Sequence, residues 1–242
     1  MHYLPNMIRQ LITRLISKSG YSRLREGAKI SYSQCGEDLI VWYIFMLRGI
    51  SRPSYMDIGA HHPFFLSNTA LLYHHGCRGI NIEANPVLFE NFENHRPGDV
   101  NLNMGIGPAE AVLNFYVMED PTLSSFSKKE VDILMSHQKK ISKEIEIGVR
   151  TIDYVLKKYC NNIFPDFLSI DVEGLDFEII RTIDFARSSP KVICVEAAEY
   201  SSTGNGGRRN ELIDFILAKG YIEYANTNLN AILVKHDFWN NR

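Results

Sequence analysis

The chain has 242 residues, 45% of them hydrophobic, which is enough for one large domain or two small ones with a substantial core. Lysine and arginine number 26 against 28 acids, and a formal charge of −2 excludes a dedicated nucleic-acid surface, which would be clearly basic. Cys35, Cys77, Cys160 and Cys194 form neither a CxxC pair nor a zinc-finger spacing, and no apolar run reaches the roughly 18–20 residues that span a bilayer. A reducing, cytoplasmic setting is expected.

The first twenty residues lack the uninterrupted apolar centre of a signal peptide. Met7, Leu11 and Leu15, with Ile8, Ile12 and Ile16, recur at helical spacing among Arg9, Arg14 and Lys18. A helical extension over 1–30 is expected, packed on the domain or on a partner subunit of a homo-oligomer, with a membrane-surface helix as the alternative. SQCGED at 33–38 reads as an N-terminal cap on a helix running through Trp42.

A strand at 54–58 ends at an acid, and a helix is expected from Ser67 to Gly76. The next strand, 79–84, also ends at an acid; Asn85 and Pro86 then suit the N-cap and first position of a helix to residue 95. Further strands are expected at 100–106, 112–118 and 144–152. The polar stretch 119–144 between the last two reads as a loop with a short helix, and Thr151 caps the helix that comes after them. Residues 167–174 and 191–199 are buried strands carrying Asp171 and Glu196. A helix stopped by Gly220 leads to a hairpin, 221–228 and 230–236. Strands alternating with helices predict a mostly parallel sheet covered on both faces, closed by an antiparallel strand, as one α/β domain over 31–242.

Asp57, Glu83, Asp171 and Glu196 all lie at strand ends, where ligands of open parallel sheets bind. Glu83 comes 26 positions after Asp57, near the spacing of a ribose-binding acid. Gly59 lets the backbone approach a ligand, but DIGAHHP lacks the glycines that surround a pyrophosphate. A nucleoside cofactor without a diphosphate is expected, and S-adenosylmethionine (SAM) has a cationic sulfonium and ammonium that acids would favour.

SYSQCGED at 31–38, DIGAHHPFFLSNT at 57–69, GINIEANP at 79–86, VRTID at 149–153 and LSIDVEG at 168–174 together resemble the FkbM family of SAM-dependent methyltransferases. The resemblance spans about Ser31 to Lys235. It implies a class I methyltransferase (Rossmann-like) sheet of seven strands with the last antiparallel, and O-methylation of a sugar or polyketide hydroxyl. By that likeness Asp57, Gly59 and Ala60 line the methionine end of the cofactor, Glu83 holds the ribose, and Ala84 and Asn85 lie beside the adenine. Asn103, Gly105 and Ile106 would border the adenine, and Gln34, Glu37 and Asp38 would close the pocket.

A sugar hydroxyl holds its proton, so it needs a base or a metal. Asp171 and Glu196 end consecutive central strands and are candidate ligands for Mg²⁺ or Mn²⁺, with Glu173, Glu199 or a histidine to complete the set. Without metal, Asp171 would orient the base or the cofactor, and Glu173 would cap the next helix. His61 and His62 are candidate bases, His61 preferred, with His62 beside the substrate. Ser124 and Ser125 lie on a candidate lid. Glu199 and Arg208 are candidate contacts to a nucleotide-activated sugar or surface-glycan precursor, with Arg208 and Arg209 clamping phosphate. A nucleotide-sugar or NAD-dependent oxidoreductase, and a non-catalytic SAM-binding scaffold, stand as alternatives.

Overall fold

The computed structural model describes residues 28–198 and 207–240. The helix expected within 1–30, and Glu199, lie outside these residues, apart from 28–30, which have no regular structure. The compact unit that carries the sheet begins at Tyr32.

The central sheet is built from the most apolar segments. β1 (Tyr55–Ile58) and β7 (Phe167–Ile170) are buried at every position, and β8 (Val192–Glu196) is buried except at its terminal acid. Strands covered on both faces read as apolar runs rather than alternating ones, as here. β2 (Gly79–Ile82) and β3 (Val100–Leu102) extend the sheet on one side, and β9 (Tyr221–Asn226) and β10 (Asn230–Lys235) on the other. The strand order is β3-β2-β1-β7-β8-β10-β9, all parallel except β10, which runs antiparallel to both neighbours. The order reverses between β1 and β7, which places the cleft at their carboxyl ends.

Alternation along each strand divides the core. Met56, Ile58, Leu168, Ile170, Ile193 and Val195 pack on one face with α5 (Ile152–Tyr159) and α7 (Asn210–Ala218). Tyr55, Phe167, Val192 and Cys194 face the other way, against α1 (Glu37–Leu47) and α2 (Ala70–His74). The expected caps hold: Asn85 Oδ1 accepts from Val87 N at the start of α3 (Pro86–His95), and Thr151 Oγ1 accepts from Tyr154 N at α5. Ser33 Oγ accepts from Gly36 N and Asp38 N at the start of α1, which runs past Trp42 to Leu47. α2 is shorter than the helix expected from Ser67, because Ser67 and Thr69 turn their hydroxyls inward.

One expected strand divides in two. Residues 100–106 leave the main sheet after Leu102, where Asn103 Nδ2 donates to the carbonyls of Glu83 and Ala84. The chain resumes as β4 (Gly105–Ile106), in a separate three-stranded sheet with β6 (Ile141–Arg150) and β5 (Ala111–Met118), ordered β4-β6-β5. Between β5 and β6 lie a 3-10 turn (Pro121–Leu123) and α4 (Lys128–Ser136), capped by Ser127. α6 (Asp176–Ile180) comes after β7 and two residues of positive φ, and α8 (His236–Asn240) comes after β10. All four cysteines are free, and no described helix is long and apolar enough to cross a membrane.

Candidate active site

The turn after β1 is tied to both neighbouring strands. Gly59 N and Ala60 N donate to Ile82 O at 3.0 and 3.1 Å, and Asp171 N donates to Ile58 O at 3.0 Å. Gly59 has φ 77°, and a Cβ there would fall 1.8 Å from the Asp171 carbonyl oxygen. A close approach that requires glycine is therefore that between the ends of β1 and β7, in addition to the ligand approach the sequence suggests. Asp57 is buried and accepts from Thr69 Oγ1 at 2.6 Å; burial raises its pKa against the lowering influence of Thr69 and Arg96.

Glu83, also buried, holds the next turn. Its Oε2 accepts from His61 N at 2.8 Å and its Oε1 from Asn85 N at 2.7 Å. Burial pushes its pKa up to about 7 despite these two bonds. A carboxylate offers about four acceptor positions, so two remain for ligand hydroxyls. His61 adopts φ 54°, and its buried Nδ1 has no hydrogen-bond partner. Burial and the neighbouring His62 lower the His61 pKa, which keeps the ring neutral near pH 7.

Across the cleft, Asp171, Glu173 and Glu196 each bring a carboxylate oxygen within 4.8 Å of the others. The cost of hydration lost to the cleft walls, then repulsion from neighbouring acids (Asp176 for Asp171, and Asp171 for Glu173 and Glu196), raises the pKa of all three, although Asp171 keeps an exposed side. Arg209 tempers this, at 2.9 Å from Glu196 Oε2 and 3.5 Å from Asp176 Oδ2. Glu173 sits at φ 52°, a left-handed conformation that costs a non-glycine residue about 1 kcal/mol or more. Ser125, fully buried, donates its hydroxyl to the Glu173 carbonyl at 2.6 Å and so ties the segment after β5 to this turn.

These groups open onto one cavity of about 320 Å³, at the small end of the range for small-molecule sites. It is lined by Gln34, Asp57, Gly59, Ala60, His61 and Glu83 on one wall. Ala84, Gly105 and Ile106 continue it, Ser124 reaches it from the segment after β5, and Asp171, Glu173 and Glu196 complete it. Leu88, Met104, Phe115 and Phe126 add an apolar side that no local pattern distinguished from core residues. Asn68 and Ser169 also reach it, and single polar residues carry no sequence signal of that kind.

Other candidates do structural work outside the lining. Glu37 accepts from Cys35 N, Thr227 Oγ1 and Asn230 Nδ2, joining α1 to the terminal hairpin. Asp38 accepts from Tyr32 N and Ser33 Oγ. Asn85 caps α3, and Asn103 bonds the backbone after β2. His62 Nδ1 accepts from Phe64 N and Phe65 N, so that side of the ring closes its own turn, and His62 is not among the cavity-lining residues. Ser125 is a tether to the Glu173 turn rather than a substrate contact. Arg208 pairs with Glu223 at 2.6 Å and borders a different surface depression, outside the cavity lining.

A seven-stranded sheet of this order, with its one antiparallel strand next to the edge and an acid-lined cleft at the strand ends, is the architecture of class I methyltransferases. The chain matches the methyltransferase FkbM domain over residues 57–223, and it belongs to that family of SAM-dependent methyltransferases. Among solved structures it is similar to a TehB-like SAM-dependent methyltransferase from Corynebacterium glutamicum, at 10% identity and a TM-score of 0.41, with 96% of this chain and 100% of that one covered. It is also similar to a precorrin-6y C5,15-methyltransferase from Geobacter metallireducens, at 15% identity and TM-score 0.37, covering 81% and 86%. A human methyltransferase 10 domain containing protein gives 12% identity and TM-score 0.39, covering 96% and 97%. No curated protein matches the chain.

Proposed function

We propose that the protein is an O-methyltransferase that moves the methyl group of SAM to a hydroxyl of a sugar, either a nucleotide-activated sugar or a surface-glycan precursor. The observation that carries this reading is the convergence of Asp57, Glu83, His61, Asp171, Glu173 and Glu196 on one cavity. Among the described residues, five acids and no arginine or lysine line the cavity, so the wall favours cations. That charge suits a sulfonium and an ammonium and opposes a diphosphate, which weighs against a dinucleotide oxidoreductase.

The residues present fit the cofactor. Glu83 retains acceptor capacity for ribose hydroxyls, Asp57 offers a negative charge to the amino-acid end, and the apolar side formed by Leu88, Met104 and Ile106 suits a base. When bound, SAM supplies an electrophilic methyl carbon on sulfur. With SAM bound, the acceptor oxygen would form the new C–O bond as the C–S bond broke, leaving the electron pair on sulfur. His61, which lines the cavity, takes the hydroxyl proton on its ring, a role its lowered pKa allows. The cleft walls hold the oxygen in line behind the methyl group, a positioning effect that supplies several kcal/mol.

The all-oxygen set of Asp171, Glu173 and Glu196 also fits a hard divalent cation, Mg²⁺ or Mn²⁺. Three carboxylates crowded within 4.8 Å are electrostatically short of positive charge, and such an ion would increase the acidity of a bound hydroxyl. The decisive experiment incubates the purified chain and tritiated SAM with nucleotide sugars and glycan fragments, with and without Mg²⁺. Label on a sugar oxygen is expected. SAM binding with label only on nitrogen or carbon acceptors would overturn O-methylation, and failure to bind SAM would overturn the enzyme reading altogether.

A further inference from the structure

Arg96, just after α3, belongs to none of the sequence motifs, yet it is the bulkiest of the fully buried side chains among the described residues. An arginine is rarely buried unless its donors are matched. Here Nε donates to Asp99 Oδ2 at 2.9 Å and Nη2 to the Tyr55 hydroxyl at 2.8 Å. Nη1 donates to Thr69 Oγ1 at 3.0 Å and to the Pro63 carbonyl at 3.5 Å. The rings of Tyr73, Tyr55 and Phe92 lie 5.0, 5.3 and 5.6 Å from the guanidinium carbon.

The bond to Thr69 has a direction. A guanidinium only donates, so Thr69 Oγ1 accepts from it and must send its own proton elsewhere. Asp57 Oδ2 is 2.6 Å away and Ser67 Oγ 3.5 Å, so the proton goes to Asp57. Ser169, which pairs with Asp57 across β1 and β7, accepts from Asn68 Nδ2 at 3.2 Å, and its hydroxyl favours the ionised form of Asp57. One hydroxyl whose donor sense is fixed from behind, that of Thr69, thus holds a carboxylate that lines the cavity. Charge points the same way. Asp57 and Asp99 carry two negative charges against the one positive charge of Arg96, so a cation on the cavity side completes the balance.

We propose that Arg96 acts through Thr69 as a positioning relay for Asp57, and that this relay selects ligands bearing a charged amino-acid tail. The proposal rests on the reading of the cleft as a SAM site. The test compares S-adenosylhomocysteine with methylthioadenosine, which keeps the nucleoside and thioether but lacks the tail, by calorimetry on the full chain. Thr69→Val should weaken S-adenosylhomocysteine about ten-fold, the cost of one hydrogen bond to a charged group, and leave methylthioadenosine unchanged. Thr69→Ser, which keeps the hydroxyl, should restore the affinity. In an Asp57→Asn background, Thr69→Val should have little further effect. Equal weakening of both ligands, or no rescue by serine, would overturn the relay and leave Thr69 a purely structural residue. Failure of the unmodified protein to bind either nucleoside would instead overturn the SAM reading itself.

Discussion

Replacing Glu83 with glutamine tests how the cleft carries its charge. In the ligand-free protein the Glu83 pKa rises from an ordinary 4.5 to about 7, so the folded state holds this proton more tightly than the unfolded chain does. The group therefore favours folding most at low pH. Stability falls as pH climbs from about 4.5 and stops falling above about 7, where Glu83 is ionised in both states. At 1.36 kcal/mol for each tenfold change in proton affinity, the full loss is about 3 kcal/mol. Glutamine removes that loss but brings its own cost. Its amide NH2 cannot accept, so His61 N or Asn85 N loses its partner, at about 1–3 kcal/mol. Glu83→Gln should thus be less stable than the parent at pH 5 and approach or overtake it at pH 8. Urea unfolding of both proteins at pH 5, 6, 7 and 8 measures the difference directly. Asp171, Glu173 and Glu196 impose the same sign of pH dependence on both proteins, so only the difference between them reports on Glu83. A parent-minus-variant difference that stays constant from pH 5 to pH 8 would refute the reasoning.

Gly59→Ala places a methyl 1.8 Å from the Asp171 carbonyl at φ 77°, and it should cost more than about 3 kcal/mol in denaturant unfolding; a near-neutral value would mean the two strand ends can part. Asp171→Asn should abolish turnover and Mn²⁺ binding, the latter read by calorimetry; turnover that survives and ignores EDTA would dismiss the cation. Ser125→Ala frees the Glu173 carbonyl and strands Ser127 N, so stability should fall by about 2 kcal/mol and kcat should fall with KM little changed. Unchanged kcat would show that the tether does not matter to the chemistry.

Much of this was legible in the sequence because it is local. Apolar runs ending at Asp57, Asp171 and Glu196 marked the central strands, since a strand buried on both faces cannot hide its composition. Asn85 with Pro86, and Thr151, marked helix starts because a cap bonds within its own turn. The five motif blocks carried the family, and the DIGAHHP turn excluded a diphosphate cradle through its missing glycines.

Tertiary structure decided which of those groups meet. Strand order brings Asp57 beside Ser169 and sets Asp171, Glu173 and Glu196 within 4.8 Å, and hydrophobic alternation carries no information about order. The same long-range pairing sent Glu37 to Asn230 and Arg208 to Glu223, spent Asn103 on the backbone that splits its strand, and hid Arg96 behind Thr69. A hydrogen bond has no preferred sequence separation. The residue types therefore declare what each side chain is able to do, while the fold alone determines with which partner it does it.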